Sequence, residues 1–328
     1  MSRVTTRDTV PEDRLARILA PRDDAVVRET VDGQGFEADS GPFDAYRRTV
    51  TMERRDDGSA DVEQVVTFRL ALPVFGPLVV PLFRSHLRRL EPRQKAPWWA
   101  PVERIDPPAA RTLAGLGTVA VVIGYVLTVL PQTITFAASQ FHADKTAQGV
   151  ALASTRADIV FVIVLVALAD RHGRQRLLLL STALASVFTA LGALAPSLAW
   201  LAVTQVGASG CGSAAVVLIA IMAAEAMPRS ARAYALSLLT VVGSIGIGAL
   251  LGLLFIADFS RGSWRVLYAI GIVGVPLVIA IGRRLPESPR YLAPHADAPL
   301  AGHGRRLWLL AIAGLLINVF IAPSSDKS

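Results

Sequence analysis

Residues 169–176 read ADRHGRQR, a charged segment between the apolar runs DIVFVIVLVAL (158–168) and LLLLSTALASVFTALGAL (177–194). Because an α-helix rises about 1.5 Å per residue, about 20 apolar residues cross the hydrocarbon core of a bilayer. With their flanking residues the two runs have that length, so ADRHGRQR is the turn between two membrane helices. Such a turn is either an ordinary solvated loop or a segment whose charged residues have a function in the protein.

The same alternation of apolar and charged segments continues from Thr112 onward. Of the 328 residues, 52% are hydrophobic, and the mean hydropathy of +0.47 is too high for a soluble domain of this size. We predict an all-α polytopic membrane protein with a six-helix bundle at 112–282, followed by a cytoplasmic loop at 283–306. The predicted spans are 112–138, 148–169, 177–195, 198–226, 233–257 and 264–282, with a partial seventh helix at 307–322.

Arginines define the predicted orientation. The turns after the second, fourth and sixth spans are rich in Arg, and those after the first, third and fifth are not. Because cytoplasmic loops carry the excess of basic residues, the N-terminus is predicted in the cytoplasm, at a bacterial-type plasma (inner) membrane. The same rule accounts for the net charge of +7. Without a basic patch interleaved with aromatic residues, the sequence predicts no nucleic-acid partner.

Residues 1–90 are predicted as a small cytoplasmic α+β segment, which we call the accessory region. Apolar and polar residues alternate over 60–70, and Asp57-Gly58 predicts a hairpin turn back to residues 45–54. Residues 74–90 are predicted either as a helix covering this hairpin or as an amphipathic segment on the inner membrane surface. The strand–turn–strand–helix order resembles the end of a START-like hydrophobic-ligand domain; an accessory domain of another role is the alternative. A proline-rich linker at 91–111 follows.

Three charged segments follow the second, fourth and sixth spans: DRHGRQR (170–176), EAMPRSAR (225–232) and PESPR (286–290). In that order they resemble the G-x-x-x-D-R-x-G-R-R, E-x-x-P-x-x-x-R and PESPR motifs of the major facilitator superfamily of secondary transporters. Sugar porters and related metabolite and organic-ion carriers share the last motif. The resemblance implies the N-terminal six-helix half of that fold plus the start of a seventh helix. It also implies transport of a small organic substrate by alternating access.

Two motif positions depart from the family pattern: Val166 stands where the family has Gly, and Gln175 where it has a second basic residue. The fifth span lacks the Gly-Pro pair of many drug–proton antiporters, which disfavours drug antiport. It does contain glycines that allow close helix contact, namely Gly243, Gly246, Gly248 and Gly252.

The resemblance implies that the motif residues form a latch that closes the cytoplasmic side in the outward-open state. Ion pairs that form in one conformation and break in the other make a two-state switch. A solvated turn would explain the arginines, but not the acids at matched helix ends. The latch residues are Asp170, Arg171, Gly173, Arg174, Glu225, Arg232, Glu287 and Arg290.

Few polar residues lie inside the predicted spans, so those present are candidates for a substrate and proton pathway. Asp158, near mid-membrane in the second span, is the candidate for proton coupling. Arg156 is a candidate anion contact or the charge that tunes this acid; a structural pair with another helix is the alternative. Sugar porters typically carry an acid in the first span and an Arg in the fourth; both are missing here, which argues against a sugar. The other candidates are Tyr125, Gln132 and Thr133 near Pro131, and Thr204 and Gln205 in the fourth span.

The sequence therefore predicts a secondary active or facilitative transporter, proton-coupled and embedded in the lipid bilayer, with no cofactor. An enzyme is not predicted, because no nucleophile–base pair, metal-ligand set or phosphate loop is found. The ending LLINVFIAPSSDKS (315–328) resembles the start of a second half. The expected partner is therefore a missing C-terminal half or a second copy. The alternative function is a membrane-anchored binding or sensory protein whose accessory region binds a hydrophobic ligand.

Overall fold

The computed structural model of the chain describes residues 1–56, 59–92, 95–101, 103–283 and 285–287. The predicted hairpin turn at Asp57-Gly58, the latch residue Arg290 and the predicted seventh helix at 307–322 lie outside the described residues, as does most of the predicted loop at 283–306.

Five strands of the accessory region form an antiparallel sheet in the order β1-β5-β4-β3-β2. The last two strands in the chain are the predicted hairpin. Val62, Gln64, Val66 and Phe68 of the final strand are all buried, as the alternation requires. The strand bounds are β1 (Ser2–Pro11), β2 (Arg28–Asp32), β3 (Gly35–Ser40), β4 (Phe43–Arg54) and β5 (Ser59–Leu70).

Two helices pack on this sheet. α1 (Glu12–Ile18) buries Ile18 at the end of the sheet near Val10 and Val62. α2 (Gly76–Leu87) buries Phe83 in the sheet core, where its ring meets that of Phe43 edge-on at a centroid distance of 5.8 Å. α2 therefore covers the sheet, as the first of the two predicted alternatives has it.

A buried ion pair joins β2 to β4. The side chains of Glu29 and Arg48 are both fully buried, and Arg48 Nη2 lies 2.7 Å from Glu29 Oε2. The Tyr46 hydroxyl donates to Glu29 Oε1 at 2.6 Å, and Arg48 also donates to the carbonyls of Ile18 and Ala20. The pair thereby satisfies polar backbone groups at the end of α1 as well as its own charges.

Within the described residues, six helical spans are long and apolar enough to cross a membrane. They overlap all six spans predicted between 112 and 282. The first span is α3 (Pro107–Phe141), the second α4 (Lys145–Ser154) and α5 (Asp158–His172), the third α6 (Arg174–Gly192), the fourth α7 (Leu198–Ala226), the fifth α8 (Arg232–Leu253), and the sixth α9 (Trp264–Ile270) and α10 (Gly274–Gly282). Short 3-10 turns lie at Thr155–Ala157, Arg229–Ala231, Leu254–Asp258 and Gly271–Val273.

The first span is the centre of the bundle. Its helix α3 has 35 residues and begins at Pro107, inside the segment predicted as linker, since proline is favoured in a first helical turn. In the most apolar stretch of the first span 67% of the residues are buried, against 6% in the second span and 17% in the fifth. The second and fifth spans therefore present apolar faces outside the bundle.

Glycines bring α3 and α8 into backbone contact. A Cβ added at Gly246 would collide with the carbonyl oxygen of Val121 and lie 2.8 Å from the nitrogen of Tyr125. A Cβ added at Gly124 would collide with the carbonyl oxygen of Gly243. At Gly248 and Gly252, by contrast, the added atom would meet open space. Of the four glycines predicted to allow close helix contact, Gly243 and Gly246 lie at this contact.

Candidate functional site

The segment 170–174 folds into a tight turn between the second and third spans. α5 ends at His172, and the one residue before α6 is Gly173, with φ 101° and ψ 133°. This positive φ is disfavoured for residues with a Cβ, so glycine suits the position. The turn places Arg174 back over Asp170, four residues earlier in the chain.

Arg174 contacts two carboxylates on two different helices. Its Nη2 lies 3.1 Å from Asp170 Oδ1 and its Nη1 pairs with Glu225 Oε1 near the end of α7. The Glu225 side chain is only 7% exposed, whereas that of Asp170 is 62% exposed. The guanidinium group therefore links the turn after the second span to the fourth span through one nearly buried and one solvated ion pair.

Gln175 joins the same turn to the end of the sixth span. Its backbone N–H donates to Glu287 Oε1 at 2.9 Å. Its side-chain amide donates to the carbonyls of Gly282 and Leu285 at 3.0 and 2.8 Å. These carbonyls lie at and beyond the C-terminus of α10, where helix carbonyls lack intrahelical partners. Gln175, one of the two residues that depart from the family motif, thus caps a neighbouring helix.

The described latch residues therefore lie at one end of the bundle, where all three charged segments meet. Arg171 is exposed in the last turn of α5, and Arg232 Nε donates to the carbonyl of Met227 at 3.4 Å. Arg174 and Gln175 lie at the centre of this group because, between them, they contact the ends of the second, fourth and sixth spans.

A second polar group lies at the contact between the second and fourth spans, where a 3-10 turn interrupts the second span. Asp158 begins α5, directly after the 3-10 turn at Thr155–Ala157. Ser213 of α7 donates to Asp158 Oδ2 at 2.7 Å. Arg156 lies in the 3-10 turn and is exposed. The structure thus joins the predicted acid to the fourth span through a hydroxyl group.

A row of polar side chains continues this contact along α7. Gln205, Ser209 and Ser213 are spaced four residues apart and so share one helix face. Gln205, Ser209 and Thr155 line a cavity of about 40 Å³ together with Pro131 and other residues of the first and second spans. This volume is enough for a single water molecule. The sequence reasoning missed Ser209, Ser213 and Thr155, although their spacing from Gln205 and Asp158 was visible.

The remaining pathway candidates have other neighbours. The Tyr125 hydroxyl donates to the carbonyl of Leu267 at 2.6 Å, and Thr133 Oγ1 lies 2.9 Å from the Tyr268 hydroxyl. These two residues therefore tie the first span to the sixth rather than line the 40 Å³ cavity. Thr204 donates to the carbonyl of Leu201 within its own helix, and Gln132 is exposed.

Comparison with known proteins adds independent information. The family model described as Major Facilitator Superfamily matches residues 112–325. The human protein named Putative transporter SVOPL is 33% identical over 134 residues, which are 40% of this chain and 27% of that protein.

Two similar solved structures are both inward-facing carriers. One is a bacterial homologue of the human lysosomal transporter Spinster, in an unoccupied conformation (TM-score 0.49, 22% identity, 60% of this chain and 47% of that one). The other is the xylose transporter XylE from E. coli (TM-score 0.48, 16% identity, 66% of this chain and 56% of that one). This chain spans about half the length of these two structures and 27% of the human relative.

Proposed function

The chain belongs to the major facilitator superfamily, a family of multi-pass membrane transporters and not of enzymes, and on this premise we propose that it moves a small organic solute by proton-coupled alternating access. The observation that supports this proposal best is the position of Arg174 between Asp170 and Glu225. One guanidinium group there links the ends of two spans, with Gln175 linking a third.

The energetics of this cluster suit a conformational latch. A solvated ion pair such as Arg174–Asp170 contributes about 0–1 kcal/mol. Separating Arg174 from the nearly buried Glu225 costs more, because a charge shielded from water then loses this counter-charge. A change of about 1.4 kcal/mol shifts a two-state equilibrium tenfold. The pairs are therefore strong enough to bias one conformation and weak enough to break during a transport cycle. In this proposal the latch closes the cytoplasmic side, as the Arg-rich turns predict for an inner-membrane protein.

Asp158 is the proposed proton site. A carboxylate inside a membrane span is costly unless it is hydrogen-bonded or lines a cavity. Asp158 accepts a hydrogen bond from Ser213 and lies next to the 3-10 break at Thr155–Ala157, close in the chain to the water-sized cavity. We propose that Arg156, two residues away on a different helix face, contacts an anionic group of the substrate.

We further propose that the second span contacts the rest of the transport unit, either further polypeptide or a second copy of this chain. The support is its exposure, since among the six described spans it is the least buried. An apolar helix face of this kind is covered either by lipid or by protein.

The test is solute-driven proton movement in proteoliposomes that contain the protein expressed from its complete gene and enclose the pH dye pyranine. The probes are three solutes: an organic anion, an organic cation and a monosaccharide. We expect one of the first two to drive proton movement. Asp158→Asn should abolish that proton movement while leaving counterflow of the solute. Arg174→Gln should slow transport about tenfold, a loss of about 1.4 kcal/mol.

The matched control is Asp144→Asn. Asp144 is the N-cap of α4, at the start of the second span, and asparagine is an equally good N-cap. This variant should transport like the wild type. Proton-coupled uptake that survives Asp158→Asn would contradict the assignment of the proton site. If none of the solutes moves by counterflow or with protons in the wild type, the transport proposal itself fails.

A further inference from the structure

An apolar cavity of about 460 Å³ lies between the accessory region and the first and fifth spans. Leu82 and Phe83 of α2 form one wall, and Leu113 of α3 and Leu238 of α8 form the opposite wall. The segment at residues 98–101 forms a third side. Its volume is within the range of about 300–1,000 Å³ typical of small-molecule sites. The cavity lies apart from the polar groups around Asp158 and Arg174.

Specific contacts fix the walls of this cavity. The Tyr234 hydroxyl of α8 donates to the carbonyl of Trp99 at 2.8 Å, which ties the fifth span to the segment before the first span. The Trp99 ring packs on Phe83 at a centroid distance of 5.0 Å. Arg111 of α3 pairs with Asp44 of β4 at 2.6 Å. The cavity is therefore bounded by hydrogen bonds and an ion pair across its borders, rather than by loose packing.

The mouth of the cavity opens toward the bilayer. Two of its lining residues are also strongly exposed: Trp98 at 90% and Val241, on the membrane-spanning helix α8, at 66%. An exposed valine in a membrane span faces lipid, and tryptophan is enriched where hydrocarbon meets headgroups. Leu78, one turn before Leu82 on α2, is exposed as well and extends the apolar surface. The lipid phase is thus continuous with the cavity.

We propose that the cavity binds one acyl chain of a phospholipid from the leaflet next to the accessory region. Its apolar walls offer few hydrogen-bond partners, so water gains little by filling it. A hydrocarbon chain, in contrast, gains burial at every methylene group. Ser237 of α8 lines the cavity and is exposed, which supplies a hydroxyl near the lipid ester groups. This inference does not depend on the proposed transport activity.

The test is photocrosslinking of the full protein in phosphatidylcholine vesicles that contain a phosphatidylcholine with a diazirine at the end of one acyl chain. Adducts are located by mass spectrometry of peptides. We expect adducts on Phe83, Leu113 or residues 98–101, besides those on lipid-facing positions such as Val203. Ser237→Phe should reduce the cavity adducts about tenfold, the effect of displacing about two methylene groups from the cavity.

The matched control is Ser244→Phe, the same change on an exposed position of the same helix that does not line the cavity. This variant should keep the cavity adducts. Ser237→Leu, a smaller filling residue, provides the comparison if the phenylalanine variant does not fold. The proposal is wrong if the wild type yields adducts only at lipid-facing positions. It is also wrong if folded Ser237→Phe or Ser237→Leu labels the cavity as strongly as Ser244→Phe.

Discussion

The backbone contact between the first and fifth spans can be tested with alanine substitutions at three glycines of α8. Alanine at Gly246 would place its Cβ against the backbone of Val121 and Tyr125, whose atoms cannot rotate away as a side chain can. At Gly243 the nearest atom to an added Cβ is the carbonyl oxygen of Ala120 at 3.5 Å, an ordinary contact. At Gly248 nothing lies within 4 Å. The three sites thus differ in the space available to the added methyl group, whereas the helix and the chemical change are the same.

The expected magnitudes follow from two opposing terms. Alanine is favoured over glycine in a helix by about 1 kcal/mol, so Gly248→Ala should be neutral or stabilising. Inserting a methyl group into a packed contact costs about 1–3 kcal/mol, so Gly246→Ala should be destabilising despite the same gain. If Gly248→Ala keeps the gain in helix propensity, the free energies of unfolding of Gly246→Ala and Gly248→Ala should differ by about 1–3 kcal/mol. For a helical unit of this size that corresponds to a difference in Tm of about 2–12 °C.

The measurement is thermal unfolding of the three variants in one detergent at one scan rate, followed by circular dichroism. The expected order of Tm is Gly248→Ala highest, Gly243→Ala next or equal, and Gly246→Ala lowest. Equal Tm values for Gly246→Ala and Gly248→Ala would refute the reasoning, since the two spans would then not be in backbone contact at Gly246.

Two further predictions concern the accessory region. Glu29→Gln should lower the free energy of unfolding by about 3–5 kcal/mol in urea titrations, because it leaves Arg48 buried without its counter-charge. As a control, Asp39→Asn removes an exposed ion pair with Arg28 and should lower the free energy of unfolding by less than about 1 kcal/mol. Burial acts to raise the pKa of Asp24, but hydrogen bonds from His86 and from the N–H groups of Val26 and Val27 outweigh it and lower the pKa. The pKa of Asp24 is therefore lower in the folded than in the unfolded protein. Asp24 contributes stability that is present at neutral pH and is lost below about pH 4. The Tm of the wild type should accordingly fall more steeply than that of Asp24→Asn as the pH decreases from 5 to 3.

The membrane helices were predictable because one simple quantity defines them. A span needs about 20 apolar residues, and nothing in the tertiary structure has to be known to count them. The observed helices accordingly overlap all six predicted spans up to residue 282. The breaks at Thr155–Ala157 and Gly271–Val273 were not predicted, since 3-10 turns keep the same composition as the helices around them.

Two of the five strands of the accessory region were predicted: β5 from its alternating buried face, and β4 as its partner across the predicted hairpin turn. β5 alternates over its length and was found, whereas β1 buries only Val4 and Val10 and is rich in charged residues. In β2 the one buried residue is Glu29. From the sequence alone a carboxylate is expected to be exposed to solvent. The burial of Glu29 is explained only by its pairing with Arg48, 19 residues later.

The motif positions could be found from the sequence, but their partners could not. Asp170, Glu225 and Glu287 stand at predicted helix ends, so their meeting at one end of the bundle follows from the topology. The role of Gln175 depends on where the carbonyls of Gly282 and Leu285 lie, which only the fold determines. The same holds for Ser213, whose contact with Asp158 joins two helices.

Gln175 stands where the family motif has a basic residue, and the cluster therefore contains two kinds of contact: neutral hydrogen bonds at Gln175 and ion pairs at Arg174. The side-chain amide of Gln175 makes neutral hydrogen bonds to carbonyls at the end of the sixth span, and these bonds carry no net charge that salt could screen or a proton could change. Arg174 instead makes ion pairs, one of them with the exposed Asp170. Exposed pairs exchange partners at little cost, whereas the Gln175 contacts must be broken without a competing charge to replace them. In the proposed mechanism the third and sixth spans therefore move as one body, and the state-dependent contacts lie at Arg174. Transport should therefore depend on ionic strength more strongly in the wild type than in Arg174→Gln.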